Sequence, residues 1–143
     1  MSQKRKSEKN VKVIIGDGNC LFRSLAYCEY NTQLSHNRMR QSIVNYICDN
    51  WVDNYVHFIV GNNESYPSII TNTHEYRKYM SQLGVYGTDV EIKAFTELFG
   101  KNIVVQMNES ETYHTFGNFS SDTFYLRFSG PLDQGHYDVC RCT

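Results

Sequence analysis

The ten residues GDGNCLFRSL, Gly16 to Leu25, decide how the rest of the chain is read. Asp17-Gly18-Asn19 is a turn sequence. From Cys20 onward, Leu21, Leu25 and Cys28 recur at helical spacing. The stretch therefore delivers a cysteine to the first residue of a helix. That position favours a thiolate, because free backbone N–H groups and the positive end of the helix dipole stabilise an anion. The same amides suit the oxyanion of a tetrahedral intermediate. Gly16 and Gly18 allow backbone conformations that a side chain forbids. The same spacing equally describes a plain capped helix start, with Asp17 or Asn19 as the cap.

Upstream, Val11 to Ile15 (VKVII) is a short apolar run read as a strand or extended entry, and the basic residues Lys4, Arg5, Lys6 and Lys9 make residues 1–10 a solvated tail, with a nucleic-acid, membrane or localisation contact as the sharper alternative. Downstream, Ser35 to Trp51 sets Met39, Ile43, Ile47 and Trp51 on one helix face, with Ser35 as a candidate cap. Asp53 to Val60 is a short helix or turn, Asn62 to Asn72 a loop, and Thr73 to Leu83 a helix stopped by Gly84. Thr88 and Glu91 have capping-box spacing, opening a helix whose stripe is Val90, Ile92, Ala94, Phe95, Leu98 and Phe99, ended by Gly100. After Gly100 the period falls to two. Ile103–Met107, Thr112–Phe116, Phe124–Phe128 and Tyr137–Arg141 read as strands. Helices followed by strands predict an α+β fold, a helical lobe packed on a small, mostly antiparallel sheet, in one domain over residues 11–143.

A second chemical element is Gly135-His136-Tyr137-Asp138. In a strand, His136 and Asp138 share a face. Asp138 would then fix the imidazole tautomer and leave the other ring nitrogen for Cys20. His36, His57, His74 and His114 carry no such neighbour pattern and read as surface or core residues.

These segments together resemble the ovarian tumour (OTU) family of papain-like deubiquitinating cysteine peptidases. Asp17 to Ser24 is similar to the family's nucleophile motif, and Met39 to Ile47 to the helix that follows it. Tyr86-Gly87-Thr88-Asp89-Val90-Glu91-Ile92-Lys93-Ala94-Phe95 resembles its Trp-Gly-x-x-x-Glu segment, with Tyr86 in place of the usual Trp. His136-Tyr137-Asp138 resembles its closing His-Tyr-Asp/Asn. The resemblance implies hydrolysis of the isopeptide bond after the Gly-Gly of ubiquitin or a ubiquitin-like modifier, through a thioester on Cys20, with His136 as base. It implies Asp138 as the imidazole-orienting residue. Asp17 also stands at a position counted as catalytic in some members, and Gly18 and Asn19 support the oxyanion loop. Candidate substrate contacts are Tyr66, Tyr113, Phe116, Phe119 and Tyr137, against ordinary packing as the plainer reading. The alternative function is a catalytically silent ubiquitin-binding module.

Composition narrows the rest. The chain of 143 residues has a formal net charge of -1, which gives no global signal for nucleic acid. No run approaches the ~18 apolar residues of a membrane span, and the N-terminus lacks the apolar core of a secretion signal. The five cysteines, an odd number, fit free thiols in a reducing compartment. Cys140 and Cys142 alone do not make a metal site. The expectation is a cytoplasmic monomer with no metal or cofactor, in a host cell if the chain is from a virus, an intracellular parasite or a symbiont.

Overall fold

The structure, a computed structural model, describes residues 11–118, 122–131 and 134–140. The basic tail, Phe119 and Cys142 lie outside the described residues.

A short strand β1 (Val11–Lys12) leads through the glycine turn into helix α1 (Cys20–Tyr30). A 3-10 turn (Gln33–Ser35) then feeds α2 (His36–Asp49), which runs on through a π-helical turn (Trp51–Tyr55) into the short α3 (Val56–Ile59). Helices α4 (Thr73–Met80) and α5 (Asp89–Phe99) follow, and then the strands β2 (Asn102–Met107), β3 (Tyr113–Phe116), β4 (Thr123–Ser129) and β5 (His136–Cys140).

The strand order is β1-β5-β4-β2-β3. β2 and β4 run parallel, and the other neighbours are antiparallel. The sheet is thus mostly antiparallel, as the α+β reading expects. β1 is shorter than the apolar run suggested, because side chains take over its hydrogen bonds. Its ladder with β5 covers Val11 and Lys12. The Ile14 N–H then donates to Asp138 Oδ1 at 3.0 Å, and the Gln33 side chain accepts from the Ile15 N–H and donates to the Val13 carbonyl.

The core lies between α1, α2, α5 and the sheet. Phe22, Leu25 and Ala26 of α1, Met39, Ile43, Val44 and Ile47 of α2, and Ile92, Ala94 and Phe95 of α5 are wholly buried. Each such Leu, Ile or Phe contributes about 1.5–3 kcal/mol by leaving water. One residue of the expected apolar stripe, Leu98, sits off the buried face of α5, and the helix expected to reach Leu83 ends at Met80.

α5 starts as its capping box predicts. Thr88 Oγ1 accepts from the Val90 N–H at 3.1 Å, and Glu91 Oε1 accepts from the Thr88 N–H at 2.7 Å. Gly100 closes the helix at φ 65°, in the left-handed region where glycine escapes the Cβ penalty. Ser35, by contrast, makes no side-chain cap on α2.

Candidate active site

The turn before α1 is built from its own side chains. Asp17 Oδ1 accepts from the Asn19 N–H at 3.0 Å, and Asp17 Oδ2 pairs with Arg23 at 2.9 Å. Hydrogen bonding from Arg23 is the main force holding the Asp17 carboxyl at a pKa of about 2. Neither Asp17 nor Asn19 caps α1 in the ordinary way. Asn19 makes no side-chain cap bond. Its Oδ1 turns inward and accepts from Arg40 Nη2 at 2.8 Å and from the Gly84 N–H at 2.7 Å. Gly18 is required by this packing, since a Cβ there would lie 1.9 Å from the Gly84 carbonyl oxygen.

Cys20 opens α1 with its thiol almost fully buried and its Sγ 3.8 Å from the Gly135 carbonyl oxygen. Burial pushes the thiol pKa up, and the Asp17 charge adds to that. Backbone bonding at Tyr137, Leu21 and Cys20 itself works the other way. The Cys20 N–H, the expected oxyanion donor, donates to the Asp17 carbonyl at 3.2 Å in this conformation.

β5 supplies the other half. Its alternation puts His136 and Asp138 on one face, and His136 Nε2 lies 2.8 Å from Asp138 Oδ1. Nδ1 is therefore the ring nitrogen left over. It packs beside Gly16, where a Cβ would lie 3.8 Å from both Nδ1 and Cε1. Asp138 is itself buried. Its Oδ1 also holds the Ile14 N–H, and its Oδ2 lies 3.6 Å from Arg127. A cleft of about 360 Å³ is lined by Cys20 and His136 together with Gly16, Asp17, Tyr86 and Gly135. Tyr86 stands half open at its wall.

The structure brings Asp17, Gly18, Asn19, Cys20, His136 and Asp138 together, but Asp17 and Asp138 differ. Asp138 binds the imidazole, whereas the side-chain bonds of Asp17 go to Arg23 and Asn19. The expected substrate-contacting aromatics are not gathered at the cleft. Tyr66 is 2% exposed, and its hydroxyl donates to Glu91 at 2.8 Å, so it is a core residue. Tyr137 points away from the His136 face and packs edge-on against Phe128, with centroids 4.9 Å apart. Tyr113 is exposed and Phe116 half-buried on β3, with β4 and β2 between that strand and β5.

The sequence reading missed two buried groups. Glu91 does more than cap: it also accepts from the Tyr66 and Tyr76 hydroxyls, each at 2.8 Å. Arg40 is wholly buried beneath the nucleophile turn. Its signal was a charged residue three positions before Ile43 and seven before Ile47, on the apolar stripe of α2.

Comparison with known proteins agrees with this geometry. Residues 15–137 match the OTU-like cysteine protease family. OVARIAN TUMOR DOMAIN-containing deubiquitinating enzyme 6 of Arabidopsis thaliana is 31% identical over 120 residues, covering 83% of this chain and 22% of that protein. The first curated relatives are much longer, and the chain spans 10% to 26% of their lengths. Among solved structures, the OTU domain of OTUD1 is 26% identical with a TM-score of 0.72, over 96% of this chain and 90% of that one. An OTU domain solved in complex with ubiquitin shares the fold at 18% identity and a TM-score of 0.70, over 90% of this chain and 67% of that one. With the family matched from the nucleophile turn to the histidine strand, the chain belongs to the OTU-like cysteine proteases.

Proposed function

We propose that the chain is an isopeptidase that hydrolyses the bond after the C-terminal glycine of ubiquitin or a ubiquitin-like modifier. The observation that carries this reading is the Nε2–Oδ1 contact of His136 with Asp138, which leaves Nδ1 to a cleft that Cys20 also lines. A buried thiol on its own stays protonated, so the nucleophile forms as an ion pair. Cys20 gives its proton to His136 Nδ1, and the Asp138 carboxylate steadies the imidazolium.

The thiolate attacks the isopeptide carbonyl. The oxyanion takes the Cys20 N–H, which must let go of the Asp17 carbonyl. His136 then protonates the departing lysine amine, leaving a thioester. It next removes a proton from water, and the hydroxide releases the modifier as a free carboxylate. Asp138 orients the base in this reading, while Asp17 braces the turn through Arg23 and Asn19. Gly18 and Asn19 support the loop.

A relative named as a deubiquitinating enzyme and a similar fold solved with ubiquitin support the choice of modifier. The thiol chemistry needs a reducing setting, which supports a cytoplasmic site of action. Among the described residues, no helix is long and apolar enough to cross a membrane. The test is cleavage of a panel of diubiquitins by the purified chain beside Cys20→Ala. Turnover of at least one linkage by the wild type alone is expected; turnover of none at micromolar enzyme, with no cleavage of a panel of ubiquitin-like modifier conjugates either, contradicts the proposal.

A further inference from the structure

Arg40 is out of place in an apolar core. None of its surface reaches solvent, and a buried guanidinium is ordinarily met by a carboxylate. Its hydrogen bonds run instead to neutral acceptors, the Met80 sulfur among them, while the Glu91 and Asp17 carboxylates act on it through space. Nη1 donates to the Met80 carbonyl at 2.9 Å, and Nη2 donates to Asn19 Oδ1 at 2.8 Å. The guanidinium lies over the Phe22 ring, 4.2 Å from its centroid. Burial draws the Arg40 pKa down to about 10, which still leaves a cation at neutral pH.

Both acceptors matter for the nucleophile. Asn19 immediately precedes Cys20, and its Oδ1 is shared between Arg40 and the Gly84 N–H. Its own N–H and Nδ2 hold the Asp17 carboxylate. Met80 ends α4, and Gly84 follows it in the segment against which Gly18 is pressed. The guanidinium fork therefore spans the nucleophile turn and the end of α4, and ties one to the other.

From this geometry we infer that Arg40 is a positioning residue for the reaction: through the Asn19 side chain it fixes the turn that aims Cys20 into the cleft. The planar fork meets two acceptors at a set separation, which a lysine ammonium does not reproduce. The inference rests on Cys20 as the reacting thiol and is independent of which modifier is bound.

The test compares wild type with Arg40→Met, Arg40→Lys, Asn19→Ala and the Arg40→Met/Asn19→Ala pair, with folding checked by circular dichroism and Tm. Methionine fills similar volume without charge, but it leaves the Met80 carbonyl and one side of Asn19 Oδ1 without their donor, so Arg40→Met should lower Tm even where it folds. One readout is alkylation of Cys20 by iodoacetamide across pH, followed on the Cys20 peptide by mass spectrometry. The other is kcat and KM on a ubiquitin substrate.

Arg40→Met should slow alkylation at neutral pH, move its midpoint to higher pH, and lower kcat about tenfold to a hundredfold, the scale of an ångström-sized misplacement. KM should stay near the wild-type value. Arg40→Lys should recover only part of the rate, and the double variant should be no slower than Asn19→Ala alone. A folded Arg40→Met with the wild-type alkylation rate and midpoint overturns the inference, as do losses that multiply in the double variant. If Arg40→Met does not fold, Arg40→Lys decides: alkylation indistinguishable from wild type overturns the inference, and a slowed rate with a raised midpoint upholds it. Alkylation needs no ubiquitin. A wild type inactive on ubiquitin would therefore count against the proposed substrate and leave this readout standing.

Discussion

At the scale of single residues, the site separates its two aspartates by what they touch. Asp138 lies against His136, so Asp138→Asn should keep the ring roughly oriented while losing the charge that offsets an imidazolium. His136→Ala removes the base itself and should cost on the order of 10²–10⁴ in kcat/KM, the usual scale of general acid–base catalysis. Asp138→Asn should lose less, and kcat/KM for the two variants side by side checks the order. Asp17 makes a different prediction. Its carboxyl titrates near 2 in the fold, against 3.8 when unperturbed, chiefly through Arg23. A lowered folded pKa adds stability above the unfolded value, and that stability is lost as pH falls through the folded one. The Tm difference between wild type and Asp17→Asn should thus be present at pH 6 and fade between about pH 4 and pH 2. The pair is partly exposed, so the difference should be modest. The His136–Asp138 contact was legible because period-two alternation is a local signal, whereas the Cys20 turn reads equally as a helix cap until the family resemblance is added. The clamp from Arg40 to Asn19 was not legible, because 21 residues separate partners that meet only after packing.

At the scale of elements, the helices were legible wherever an apolar stripe coincided with a stop signal, as in α5 between Thr88 and Gly100. Thr88→Ala should lower stability by about 1 kcal/mol, the usual cost of an N-cap, measured by urea denaturation. In the loop from Asn62 to Asn72, Tyr66 follows the plainer of its two readings, ordinary packing. A tyrosine in a polar loop looks exposed in sequence, yet Tyr66 is drawn inward by the buried carboxylate of Glu91. Tyr66→Phe should therefore reduce stability by about 1 kcal/mol through the lost hydrogen bond, and should leave KM for ubiquitin unchanged. A raised KM without a change in stability would return Tyr66 to the substrate surface. β1 ended early for a related reason: the Gln33 amide and the Asp138 carboxylate, both distant in sequence, take the place of ladder partners.

At the scale of the whole molecule, the α+β class followed from the order of periods along the chain, but the strand order did not. Alternation says which residues share a face and nothing about which strands are neighbours. The parallel pairing of β2 with β4, and the return of β5 to lie between β4 and β1, are what carry His136 across the molecule to the start of α1. The site is therefore a property of the closed fold. It joins a turn at residues 16–19 to a strand that begins at His136, and buried contacts at Ile14 and Gly135 hold the two halves together.

Cys20, served by His136, is proposed to attack the C-terminal carbonyl of ubiquitin. The most direct measurement is reaction of the folded chain with ubiquitin bearing a C-terminal electrophile, wild type beside Cys20→Ala. An adduct of one ubiquitin mass is expected in the wild type, on Cys20, and none in the variant. No adduct in a folded wild type, or an adduct that survives Cys20→Ala, would contradict it.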